Sequence, residues 1–75
     1  MTIYLVVQED RHSDIEITPF FLKESAIKHA KEIAGKEAEY GERKVKTEKI
    51  VGRLWCGRYS EEGDCVYVLE REVGE

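Results

Sequence analysis

His12, Ser13 and Asp14 stand side by side and together carry an imidazole, a hydroxyl and a carboxylate, the groups of a nucleophilic relay. Alternate side chains of an extended stretch point apart, so a contiguous trio cannot align for proton transfer. The trio reads instead as part of a polar turn, EDRHSD, whose Ser and Asp can bond nearby backbone amides. A structural zinc needs four ligands in tetrahedral array. The soft candidates are His12, His29, Cys56 and Cys65, too scattered to form a ligand motif. Glu9, Asp10 and Asp14 lack the twelve-residue calcium-loop pattern. There is no glycine-rich phosphate loop, no GxSxG and no CxxC. Glu16, Glu24 and Glu37 have no neighbour in the sequence that would raise a carboxyl pKa. We therefore expect no catalytic residue, no metal site and no cofactor, and not an enzyme.

The remaining residues with binding chemistry are aromatic or charged. Trp55, Tyr59 and Tyr67 fall in strand-like segments near the C-terminal end, and such side chains dominate interface energetics. Glu61, Glu62 and Asp64 make an acidic turn between those segments. The chain as a whole is mildly acidic, with a formal net charge of −4. That balance argues against a nucleic-acid ligand, whose footprint is a net basic surface. The charge is unevenly spread. Arg43, Lys44, Lys46, Lys49 and Arg53 outnumber Glu42 and Glu48 between positions 42 and 53. Lysines on a strand edge also discourage edge-to-edge aggregation, which is the plainer reading of that stretch; an anionic partner is the other, with weak nucleic-acid binding through Lys44, Lys46, Lys49 and Arg53 as its form.

Seventy-five residues make one small domain, residues 1–75, and a chain this short buries a smaller share of its surface than a larger one. A partner chain would help to stabilise it. The opening MTIYLVVQED has no basic region before its short apolar run, and no segment approaches the roughly 20 apolar residues of a membrane span. We expect a cytoplasmic protein with no membrane contact and with both cysteines reduced.

One amphipathic helix must position these residues. It runs from Leu22 to Glu39, with Ala26, Ile27, Ala30, Ile33 and Ala34 on one face. Thr18 as N-cap with Pro19 at N1 is a possible start, and Leu22 is the better one because the apolar face becomes regular there. Gly35 or Gly41 ends it, and fraying is expected between Ala34 and Tyr40 because a glycine inside a helix costs about 1 kcal/mol. Ile3 to Gln8 is a strand with apolar residues on both faces. Asp14 to Thr18 is a second strand, with Ile15 and Ile17 inward, pairing with the first as an antiparallel hairpin. Phe20 and Phe21 sit in the connection, at least one of them plugging the core beside the helix.

Ile50 to Tyr59 and Cys65 to Val73 form a second hairpin around Ser60–Asp64, with Gly63 at the left-handed position. Pairing Ser60 with Asp64 sets Trp55, Gly57, Tyr59, Cys65, Tyr67 and Leu69 on one side of the sheet. Leu54, Cys56, Arg58, Val66, Val68 and Glu70 then take the other. In that register the cysteines lie on opposite faces and cannot form a disulfide. The helix covers one side only, and which side stays open.

The first half resembles a group of short phage and prokaryotic proteins of unknown activity. The resemblance rests on Tyr4-Leu5-Val6, Ser13-Asp14, Ile15 to Ile17, Phe20, Lys23-Glu24, Ala26 and Ala30, and covers about residues 3 to 34. Phe21-Leu22 departs from it, standing where a polar helix cap would be expected. The resemblance implies a ββαββ arrangement and no activity. The expected fold is α+β, ββαββ, a mainly antiparallel four-stranded sheet with one helix on one face. The expected function is a small non-catalytic protein-interaction module, self-associating as a homodimer or binding a protein through the helix-free face, with Trp55, Tyr59 and Tyr67 as anchors. The alternative is a phage-type inhibitor that places Glu61, Glu62 and Asp64 in the basic channel of a host nucleic-acid enzyme.

Overall fold

The computed structural model describes residues 1–74. Strand β1 spans Thr2–Glu9, β2 Glu16–Phe20, α1 Lys23–Tyr40, β3 Lys46–Thr47, β4 Trp55–Arg58 and β5 Cys65–Glu72. The fold is α+β, with one helix and a five-stranded antiparallel sheet in the order β2-β1-β5-β4-β3. Five strands stand where the sequence suggested four. The expected third strand is shortened because Gly52, with φ +87°, sits in a turn closed by Arg53 N–H to the Ile50 carbonyl at 3.0 Å. A positive φ at the third residue is what a type II turn requires. Thus β4 begins only at Trp55, and the short segment before the turn pairs with it as β3.

Four alanines explain how α1 lies on the sheet. Ala26, Ala30, Ala34 and Ala38 recur every fourth residue, line one face and are buried. Their small side chains let the helix axis come close to Val6, Val66 and Val68, which are fully buried beneath it. Ile27 and Ile33 flank the stripe half-buried, and Phe20 packs against His29 with ring centroids 5.2 Å apart. Phe21 is exposed, so Phe20 alone fills the position beside the helix.

The helix does not fray at Gly35. It continues to Tyr40 because Ala38 still faces the core, and it ends in a Schellman motif. Arg43 N–H donates to the Ala38 carbonyl at 2.7 Å and Glu42 N–H to the Glu39 carbonyl at 3.0 Å. Gly41 is the C-cap at φ −88°, and the left-handed position falls on Glu42 at φ 55°. A side chain there costs roughly 1–2 kcal/mol, partly offset by the extra freedom glycine has when unfolded. Glu42→Gly is therefore expected to stabilise the fold by about 0.5–1 kcal/mol. Urea denaturation checks this: the midpoint rises with an unchanged slope, and a lower midpoint would show that the Glu42 side chain makes a contact worth more than the strain.

Three expectations about faces are corrected. Strand β2 runs from Glu16 to Phe20 with Pro19 inside it, which an edge strand tolerates. Ile17 stands opposite Val7, on the side away from the helix, and it and Ile15 are exposed rather than inward. The helix follows the Tyr4-Val6-Gln8 side of β1 instead. The β4–β5 register is also one residue from the expected one. Arg58 pairs with Cys65, Gly57 with Val66, Cys56 with Tyr67 and Trp55 with Val68. Tyr59 N–H donates to the Asp64 carbonyl at 3.0 Å, so the loop holds four residues instead of three. A one-residue slip moves every side chain of a strand to the other face. Trp55, Gly57, Val66 and Val68 consequently face the helix, while Cys56, Arg58, Cys65 and Tyr67 face away.

The cysteines thus share a face, contrary to the expected opposition. Both are free and buried. Cys56 pairs with Tyr67 and Cys65 with Arg58, so they are diagonal neighbours. Diagonal positions lie about 7–8 Å apart between Cα atoms, beyond what a disulfide spans without backbone movement.

Candidate interaction surface

The helix-free face is a grid of apolar side chains set by the register. One row runs Pro19, Leu5, Leu69 and the next Ile17, Val7, Tyr67, Cys56. Leu54, just before β4, donates its N–H to the Val68 carbonyl at 2.8 Å. Ile3 adds a corner opposite Arg71.

Half of this face has a roof. The turn at Gly52 brings the Arg53 guanidinium over the Tyr67 ring, 3.7 Å from its centroid. Arg53 Nη1 also donates toward Cys56 Sγ at 3.6 Å. Stacking a guanidinium on an aromatic face is favourable, and the Arg stem shields the thiols beneath. The Tyr67 hydroxyl donates to Glu9 Oε1 at 2.7 Å. Burial, reinforced by this carboxylate, pushes the Tyr67 phenol up to about 12. Burial likewise raises the Cys65 thiol, helped by Cys56 and Glu9, so Cys65 rests as a thiol and not as a reactive thiolate.

The other half, toward β1 and β2, is bare. Ile17 is 58 % exposed, and Leu5, Ile3 and Leu69 are half-exposed around it. Leu5 and Leu69 pack against the cluster of Val7, Cys56, Cys65 and Tyr67, and Ile17 stands at its edge opposite Val7.

The three aromatic candidates are not brought together. Trp55 packs on the helix-side core. Tyr59 is buried, its hydroxyl donating to Asp10 Oδ2 at 2.7 Å and accepting from Gln8 Nε2 at 3.2 Å. Burial drives its phenol well above the ordinary tyrosine range. Tyr67 alone lies on the helix-free side, under Arg53. Ile17, Leu5 and Leu69, the residues that are accessible there, were not singled out from the sequence. The signal for them in the sequence is the alternation of Ile15 and Ile17, which reads as an inner face and lies on the outer one.

The acidic turn is largely engaged with its own chain. Asp64 is buried; its Oδ1 accepts the Arg11 N–H at 3.0 Å and its Oδ2 accepts the Ser60 hydroxyl at 2.9 Å. Glu62 pairs with the Arg11 guanidinium. Glu61 remains exposed at the tip. The Arg11 amide, with the Ser60 hydroxyl, holds the Asp64 carboxyl below the ordinary carboxylate range. Its folded pKa lies below the unfolded one, so the ionised group stabilises the fold at neutral pH. That contribution is lost as pH falls below about 4 and through the folded value. Asp64→Asn is expected to cost about 1 kcal/mol at pH 7, and the penalty should shrink as pH falls through the folded value. Thermal melts across that range test it, and a penalty that persists in acid would assign the effect to shape rather than charge.

His12, Ser13 and Asp14 lie in the exposed turn after β1, where His12 N–H donates to Asp10 Oδ1 at 2.8 Å and Ser13 N–H to the Asp10 carbonyl at 3.3 Å. His29 belongs to the helix side of the sheet and both cysteines to the other. Among the described residues, no three His, Cys, Asp or Glu side chains are placed to hold a metal ion. Among the described residues, no helix is long and apolar enough to cross a membrane. No family model, curated protein or solved structure matches this chain.

Proposed function

We propose that this chain is a small non-catalytic interaction module that self-associates through the bare half of its helix-free sheet face. The observation that carries the reading is the exposed apolar block of Ile17, Leu5, Leu69 and Ile3 on a sheet whose other side is filled by α1. An apolar patch that crosses three adjacent strands marks an interaction surface. A two-fold dimer would bury it against its own copy, with two sheets stacked about 10 Å apart. The anchors in this reading are Ile17, Leu5 and Leu69. Trp55 and Tyr59 support the sheet from the inside, and Tyr67 sits at the rim of the surface. The inhibitor reading draws less support, because Asp64 and Glu62 are bonded within their own chain.

Sedimentation velocity over a wide concentration range, with and without reductant, tests the proposal. A dimer that reductant leaves intact is the expected result. A monomer at every concentration would overturn self-association, and a dimer lost on reduction would place the contact at the cysteines instead.

A further inference from the structure

At the opposite end of the sheet from β2, an open groove of about 420 Å3 is lined by Arg43, Lys44, Lys46 and Arg58, with Ser60 and Glu61 at its end. We infer that this groove binds a phosphate-bearing ligand through its four cations. It lies toward the β3 edge of the sheet, away from the bare apolar patch on β2, β1 and β5, and does not depend on self-association.

Three observations carry the inference. First, the chain is acidic overall, so four cations around one groove with a single carboxylate are a local concentration, not a reflection of composition. Second, Lys46 stands directly opposite Arg58 across the β3–β4 ladder, and like charges in that position destabilise a sheet. Arg58 is relieved by Glu48, at 2.9 Å. Arg43, Lys44 and Lys46 have no ion-pair partner among the described residues. An anion in the groove would remove the repulsion. Third, Arg43 is held by the chain itself, since its N–H closes the Schellman motif on the Ala38 carbonyl. That bond fixes where the basic segment leaves the helix.

Protection of a sheet edge accounts for Lys46, which lies on edge strand β3. It does not account for Arg43 and Lys44, which precede the strand, or for Arg58, which lies on the inner strand β4. The Ser60 hydroxyl is committed to Asp64 and to the Glu62 and Asp64 amides, so the cations alone would do the recognition. Guanidinium and ammonium groups on one open surface suit a group with several charged oxygens. A compact carboxylate would meet only one or two of them. The groove is within the size range of small-ligand sites, and it is open along the edge, so a terminal polyphosphate and a phosphodiester strand both present the same chemistry to it.

Amide chemical-shift titration of the whole chain at low salt tests this with two probes, sodium tripolyphosphate and an eight-residue oligothymidylate. Shifts concentrated at positions 43–46 and 58–61 are expected. Lys44→Glu with Lys46→Glu should weaken binding about tenfold or more, because phosphate contacts are electrostatic and additive in counterion release. Lys28→Glu with Lys31→Glu, on the outer side of α1, makes the same charge change elsewhere and should leave most of the affinity. Lys44→Gln with Lys46→Gln provides the same test without charge reversal, should the first variant lose its amide pattern. Response to tripolyphosphate alone assigns the groove to a free phosphate compound, and response to the oligonucleotide alone to a strand. Response to both assigns it to the phosphate group in either setting. No localised shift with either probe, or equal loss in the helix variant, overturns the inference.

Discussion

Replacing Gly57 with alanine is expected to destabilise the fold by about 2 kcal/mol and to shift the emission of Trp55. Gly57 and Trp55 lie on the same face of β4, two residues apart, and the indole folds down across the glycine. A methyl on Gly57 would come within 3.0 Å of Trp55 Cζ2 and 2.9 Å of Cζ3, with Cη2 closer still. A ring cannot bend away at one edge, so the whole indole must leave the surface it shares with the core under α1. In a domain of this size a loss of 2 kcal/mol lowers the melting temperature by about 10 °C. The chain has a single tryptophan, so its fluorescence reports the displacement directly. A double-mutant cycle isolates the contact. In a Trp55→Ala background, Gly57→Ala should cost almost nothing. An unchanged emission maximum together with an unchanged melt would show that the indole does not rest on Gly57.

The second large effect concerns association. In the proposed dimer, Ile17→Lys should raise the dissociation constant about 100-fold while leaving the monomer folded. Ile17 is already more than half exposed on an edge strand, so the fold loses little. In a two-fold interface each substitution is felt twice, and full burial of an isoleucine is worth about 1.5–3 kcal/mol. Losing two such contacts and placing two ammonium groups in an apolar contact accounts for the magnitude. Val51→Lys is the matched control, since Val51 is wholly exposed and belongs to the Gly52 turn. Sedimentation of both variants against the unaltered chain decides the matter. Equal weakening by both would point to net charge, and no weakening by Ile17→Lys would remove β2 from the interface.

Much of the architecture was legible in the residues. The alanine spacing marks α1, the β-branched runs mark β1 and β5, and the polar EDRHSD turn marks the first hairpin. What failed was the assignment of faces. Gly63, at φ 98°, is compatible with either loop length, and the choice between them rests on the Ser60 side chain. Its hydroxyl accepts the Glu62 and Asp64 amides and donates to the Asp64 carboxylate. Ser60 thus acts as a local cap, and the ladder closes one residue earlier, at Tyr59. No pattern of apolar residues near the turn reports this, because both faces of β4 and β5 are apolar. The roof over Tyr67 was hidden for a related reason. Arg53 reaches the ring only because Gly52 reverses the chain before β4, a relation between turn and strand that periodicity does not carry.

The strand order also bears on when the protein can fold during synthesis. β1 is made first and β5 last of the strands, yet they are neighbours in the middle of the sheet, with Val6 opposite Val68 and Val7 opposite Tyr67. The Val73 N–H reaches back to the Met1 carbonyl at 2.7 Å. Until β5 leaves the ribosome, the β1–β2 hairpin and α1 have no third strand to pack on, and the apolar side of β1 stays open to solvent. Pairings this distant along the chain make for slow closure. While the residues between β2 and β5 are being made, the nascent chain therefore carries a strongly apolar first strand that is paired along one edge only.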